Sequence, residues 1–81
     1  MFVVYSMDGC NYCEKVKELM ELTKQQHVVY TLGQHFSIED FENEFGTKQF
    51  PQVIVDTKSH ERIRIGGAAE LAEYFKENSL V

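Results

Sequence analysis

Phe2-Val3-Val4-Tyr5-Ser6-Met7-Asp8-Gly9-Cys10-Asn11-Tyr12-Cys13 is the stretch on which the reading of this chain turns. Val3, Val4 and Tyr5 favour a strand, and Met1 to Ser6 is apolar toward both faces, as a central strand covered by helices requires. Asp8-Gly9 is a turn signal, and Gly9 gives the backbone freedom immediately before Cys10. From residue 11 to residue 25 the spacing becomes helical. Cys13, Val16, Leu19, Met20 and Thr23 fall on one face, while Glu14, Lys15, Lys17, Glu18, Glu21 and Lys24 take the solvated one. A buried strand therefore feeds a pair of thiols into the first turn of a helix.

Two residues between cysteines bring the sulfurs close enough to close a small disulfide ring. Short, strained and exposed disulfides are the labile or catalytic ones. The two positions are not equivalent. Cys10 falls at or beside the helix N-cap, where unpaired N–H groups and the positive end of the helix dipole favour a thiolate. Cys13 lies one turn in, on the face of Val16 and Met20, and is expected to be more buried. Cys10 is thus expected to attack and Cys13 to resolve. A structural bridge over so small a loop would restrict the unfolded chain little, and short chains stapled by disulfides are usually secreted and richer in cysteine. A zinc site needs about four ligands. Only two cysteines are present, and His27, His35 and His60 are not at paired metal spacing. A redox-active pair is the reading that a single C-x-x-C near a β-α-β pattern supports best, with no metal site expected.

The 81 residues fit one domain, spanning 1–81, with a small but adequate core. A hydrophobic fraction of 43%, with five glycines and one proline, indicates a compact chain rather than disorder. The net charge of −5 argues against general binding to nucleic acid or to anionic membranes. No signal-peptide pattern opens the sequence and no apolar run is long enough to cross a bilayer. The expectation is a soluble cytoplasmic monomer, in a compartment where thiol pairs are more often catalytic than structural.

Along the rest of the chain, His27 to Leu32 reads as a second strand, parallel to the first through a helical crossover. Ser37 is placed as an N-cap, with Asp40 at the capping-box position and Phe36 and Phe41 as a hydrophobic staple. Ile38, Phe41 and Phe45 form the apolar face of that helix, and Gly46 ends it. Gln49-Phe50-Pro51-Gln52 leads into a third strand at Val53 to Val55. The lone proline is tolerated before a strand, and from the residues alone its peptide bond is expected trans. Glu61 to Ile65 forms an antiparallel hairpin with that strand. Gly66-Gly67 is either a flexible joint or a place of close backbone approach. Ala68 to Asn78 is the last helix, with Leu71 and Phe75 inward. The order β-α-β-α-β-β-α predicts an α/β protein with a four-stranded mixed sheet and helices on both faces.

At these separations Tyr5-Ser6, Cys10-Asn11-Tyr12-Cys13, Phe50-Pro51-Gln52 and Gly66-Gly67 together resemble the glutaredoxins, over nearly the whole chain. The C-x-Tyr-C form is the glutaredoxin version of the motif, and the brevity of the chain and its Glu73-Tyr74-Phe75-Lys76 ending look most like the small dithiol members of bacteriophages and bacteria. The resemblance implies a thioredoxin-like fold and thiol–disulfide oxidoreductase activity, in the cytoplasm or, for a phage protein, the host cytoplasm. It implies no bound cofactor, with glutathione as co-substrate. Protein disulfides, with ribonucleotide reductase as one acceptor, are the implied partners. It further implies a cis Pro51, a Phe50 backbone that pairs with glutathione or a substrate strand, and a Tyr12 that flanks the sulfur. Gly67, Ala68 and Ala69, at the start of the last helix, would receive the γ-glutamyl carboxylate.

The sequence also departs from the family pattern. Met7 stands where many members carry lysine, Asp8 replaces a common proline, Asn11 stands where proline is usual, and Ala69 replaces an aspartate or hydroxyl residue. Lys48 is a candidate substitute cation near the proline loop. These changes predict a weaker hold on glutathione. They leave room for a redoxin reduced by thioredoxin reductase. A non-enzymatic alternative is an iron–sulfur cluster carrier bridged through Cys10 and external glutathione.

Overall fold

The computed structural model describes residues 1–79. Strand β1 (Phe2–Ser6) is followed by helix α1 (Asn11–Leu22), β2 (His27–Thr31), α2 (Ile38–Phe45), β3 (Gln52–Asp56), β4 (Arg62–Gly66) and α3 (Ala68–Glu77). The sheet order is β2-β1-β3-β4. β1 runs parallel to β2, with Phe2 beside His27 and Ser6 beside Thr31. It runs antiparallel to β3, with Val3 beside Ile54 and Tyr5 beside Gln52. β3 and β4 form the expected hairpin, with a register shift between Val53 and Ile54. This is the mixed α/β sheet, covered on both faces, that the element order predicts. No described helix is long and apolar enough to cross a membrane.

Strand alternation divides the core into two layers, because successive side chains of a strand point to opposite faces. Phe2, Val4, Val53 and Val55 face Val16 and Met20 of α1 and Leu71 and Phe75 of α3. Val3 and Ile54 face the other way, against Phe41 and Phe45 of α2. Helices on both faces explain why β1 and β3 carry continuous apolar runs, Phe2 to Tyr5 and Val53 to Val55, instead of alternating.

The helix ends follow their capping chemistry. The Ser37 hydroxyl accepts the Asp40 N–H at 3.1 Å, and the Phe36 and Phe41 rings stack with centroids 5.6 Å apart. Gly46 closes α2 in the left-handed region, at φ 70°. α1 stops at Leu22, three residues before the expected end. Lys24 adopts φ 56°. Its N–H reaches the Glu21 carbonyl at 3.2 Å, and the Gln25 N–H reaches the Met20 carbonyl at 3.2 Å. That is a Schellman closure built on lysine where glycine is usual.

Candidate active site

The site begins at the N-terminus of α1. Cys10 is the N-cap, with an extended backbone (φ −101°, ψ 111°), and its sulfur accepts the Cys13 N–H at 3.2 Å. One of the helix's unpaired donors therefore points at Cys10 Sγ, the arrangement that favours negative charge there. Cys10 is partly exposed and Cys13 is fully buried, and both are free thiols. Burial pushes the Cys13 thiol up to about 12, and its hydrogen bond with Cys10 adds to the rise. A backbone hydrogen bond with Met7 and the charge of Lys17 oppose it. Lys17 lies one helical turn beyond Cys13 and is held 2.9 Å from Glu14. Sequence reasoning placed it on the wet face only; its i,i+4 spacing from Cys13 was the overlooked signal.

The register of β1 and β3 places the proline loop beside the thiol turn. Tyr5 pairs with Gln52 in an antiparallel ladder, so the chain leaving β1 toward Cys10 and the chain entering β3 from Pro51 lie at one end of the sheet. The Phe50–Pro51 bond is cis, as the family resemblance implies and contrary to the expectation from the residues alone. The Phe50 ring turns into the α2 side of the core. It stacks on Phe41 with centroids 4.2 Å apart at 14°, and on Phe36 at 6.1 Å. Gln52, also buried, donates from Nε2 to the Gln49 carbonyl at 3.2 Å and ties the two ends of the loop together.

Tyr12, Phe50, Pro51, Gly67, Ala68 and Ala69 line a single cleft of about 280 Å³, completed by Gln49, Gln52 and Glu70. Tyr12 is 61% exposed, with the Lys15 ammonium 5.4 Å from its ring centroid. The double glycine has two separate causes. Gly66 adopts φ 119°, a conformation that side chains oppose. Gly67 has an ordinary φ of −89°, but a Cβ there would lie 3.5 Å from the Pro51 carbonyl oxygen. The start of α3 thus abuts the proline loop.

Two of the expected contacts are modified. The Gly67 N–H donates to Glu70 Oε1 at 3.2 Å, so α3 already carries a carboxylate at the donor that an incoming γ-glutamyl group was expected to use. Gly-x-x-Glu is half of a capping box and was readable in the sequence. The Ala68 and Ala69 amides belong to the first turn, where no intrahelical acceptor exists. Lys48 is not among the cleft-lining residues; its ammonium lies 3.7 Å from Glu42 of α2. Its pull toward α2 was invisible to a reading confined to the loop.

A thiol pair opening a helix at the end of a thioredoxin-like sheet, one cysteine partly exposed and the other buried, defines a thiol–disulfide oxidoreductase. The glutaredoxin family model matches residues 2–60, and the chain belongs to the glutaredoxin family. No curated protein sequence matches it. Among solved structures it is similar to reduced Escherichia coli glutaredoxin, with 26% identity, a TM-score of 0.76, and coverage of 99% of this chain and 98% of that one. It is also similar to buckwheat glutaredoxin in complex with glutathione (23% identity, TM-score 0.76), over 98% of this chain and 71% of that one. A third is glutaredoxin 1 from Francisella tularensis (20% identity, TM-score 0.72), over 98% of this chain and 94% of that one.

Proposed function

We propose that the protein reduces protein disulfides and glutathione mixed disulfides, with Cys10 as nucleophile and Cys13 as resolving thiol. The observation that carries this is the asymmetry of the pair: Cys10 is partly exposed and its Sγ accepts a helix N-terminal N–H, while Cys13 is buried. The Cys10 thiolate attacks one sulfur of the substrate disulfide. A Cys10–substrate disulfide forms, the substrate S–S bond breaks, and the departing thiolate takes up a proton. Cys13 then loses its proton and attacks Cys10 Sγ, releasing the second substrate thiol and leaving a Cys10–Cys13 disulfide. Two glutathione molecules restore the dithiol and leave as glutathione disulfide.

The cleft supports this assignment. An extended peptide seated on the Phe50 backbone would lie between Tyr12 and the start of α3, and the Ala68 and Ala69 amides suit a carboxylate. The buckwheat relative, solved as a glutathione complex, supports glutathione as the small thiol. Ribonucleotide reductase, a disulfide-forming enzyme of the reducing cytoplasm, is the protein acceptor the family resemblance suggests. A monomer is sufficient for this chemistry.

A second donor is favoured by a specific observation. Glu70 occupies the Gly67 amide and Lys48 turns to Glu42, and both reduce the hold on glutathione. A thioredoxin-reductase-type flavoprotein would then supply the electrons. The deciding experiment is turnover of a small glutathione mixed disulfide with glutathione and glutathione reductase, set against the same reaction with thioredoxin reductase. Rapid turnover in the first supports the glutathione-linked reading; activity only in the second moves the donor. Activity in neither removes the catalytic proposal and directs attention to the visible absorbance of a cluster.

A further inference from the structure

A second concavity adjoins the cleft. It is a groove of about 560 Å³ between α1 and α3, walled by Val16, Leu19 and Leu22 on one side and Ala72 on the other. Tyr12, Ala68 and Ala69 line both the groove and the cleft, so the two are continuous. The groove is apolar and wet at once. Leu22 is 73% exposed and Tyr12 61%, one at each end of the α1 wall, with Val16 buried and Leu19 half-buried between them. No such groove was anticipated from the sequence.

Length identifies the occupant. From Tyr12 to Leu22 the α1 wall is ten residues, about 15 Å at the helical rise of about 1.5 Å per residue. An extended chain advances about 3.3 Å per residue and needs four to five residues to cover it. A tripeptide attached to Cys10 and seated in the cleft would leave the far end of the groove, at Leu22, uncovered, whereas a protein substrate has chain to continue into it. Charge narrows the choice. Glutamates outnumber lysines on both α1 and α3, Glu18 in the groove wall makes no salt bridge among the described residues, and the Lys15 charge sits over the Tyr12 ring.

We propose that the α1/α3 groove is a docking subsite for the polypeptide that flanks the reacting cysteine of a protein disulfide, taking an apolar side chain with a basic neighbour. It deepens the disulfide-exchange reading above and rests on it. The groove would separate protein substrates from glutathione without altering the chemistry at Cys10: a buried leucine-sized side chain lowers KM and the sulfur transfer is unchanged.

The test uses two cysteine peptides as mixed disulfides, one with leucine and lysine within five residues on either side of the cysteine, the other with serine and glutamate there. The wild-type protein is expected to favour the first by about ten-fold in kcat/KM, carried by KM. Leu22→Ser and Ala72→Arg, both at exposed positions, should each reduce that preference to near unity. Turnover of glutathionylated 2-mercaptoethanol should be unaffected. No preference in the wild-type protein, or a preference that survives both substitutions, overturns the proposal. If the wild-type protein turns over no disulfide, exchange itself is refuted, and binding decides the groove separately. The Cys10→Ser protein, labelled with nitrogen-15, is titrated with the leucine–lysine peptide blocked at its thiol. Amide shifts at Leu19, Leu22 and Ala72 support the subsite. The same shifts produced by glutathione, or by raising the protein concentration alone, overturn it in favour of a small thiol or a second copy.

Discussion

The two faces of the sheet are built from different materials. On the α1/α3 face, Val4, Val16, Met20, Leu71 and Phe75 enclose an aliphatic-rich core, with Cys13 buried on the same side of α1. On the α2 face, Tyr5, Phe36, Phe41, Phe45 and Phe50 form a continuous run of ring contacts with centroids 4.2 to 6.2 Å apart. Each face delivers one half of the site. The first sets the sulfurs, by helix terminus and burial. The second sets the proline loop, by stacking the Phe50 ring so that its backbone is left for the cleft. Reactivity and recognition therefore rest largely on separate packing, joined through β1 and β3 and where the start of α3 meets the proline loop.

The largest expected effect tests the first face alone. Cys10→Ser should abolish turnover of every disulfide, whereas Cys13→Ser should remove activity on protein disulfides and spare glutathione mixed disulfides; coupled assays read both. Equal losses in both variants would erase the asymmetry.

A pair of core substitutions sharpens the contrast between faces. Phe41→Leu and Phe75→Leu should each lower stability by about 1–3 kcal/mol in urea unfolding. Only Phe41→Leu should also raise KM for a glutathione mixed disulfide, because of these two rings Phe41 alone stacks on Phe50. If both substitutions move KM equally, the faces are not separable.

A pH experiment isolates Cys13. Its folded-state value of about 12 lies above the ordinary 9.0, so the unfolded chain loses that proton first as pH rises. The stability gained by keeping the thiol protonated is complete below about pH 9 and is lost progressively toward pH 12. The urea midpoint of the reduced wild-type protein should fall across this window, more steeply than that of Cys13→Ser.

The smallest effect is a control. Ser37→Ala removes the cap of α2 and should cost about 1 kcal/mol of stability, with the alkylation rate of Cys10 unchanged.

The elements and the two thiols were legible because their signals are local. The apolar runs, the Asp8-Gly9 turn, the Ser37 cap and the Gly46 stop each act within a few residues. What escaped the sequence depended on residues that break a local rule or meet only in the fold. Lys24 closes α1 in a conformation usually reserved for glycine, which hid the end of the helix. Pro51 is trans by its own chemistry, and only the family resemblance implied otherwise. The carboxylate of Glu70 on Gly67, the turn of Lys48 toward Glu42 and the open groove beside Leu22 arise from how α3, α2 and α1 sit against their neighbours.

The most direct test of the central claim is a competition between the two thiols. The fully reduced protein is treated at neutral pH with a limiting amount of iodoacetamide, and the label is located by peptide mass mapping. The structure predicts that the first equivalent falls on Cys10, with Cys13 labelled only after unfolding. Equal labelling of the two thiols, or preferential labelling of Cys13, would contradict the assignment of Cys10 as the attacking sulfur.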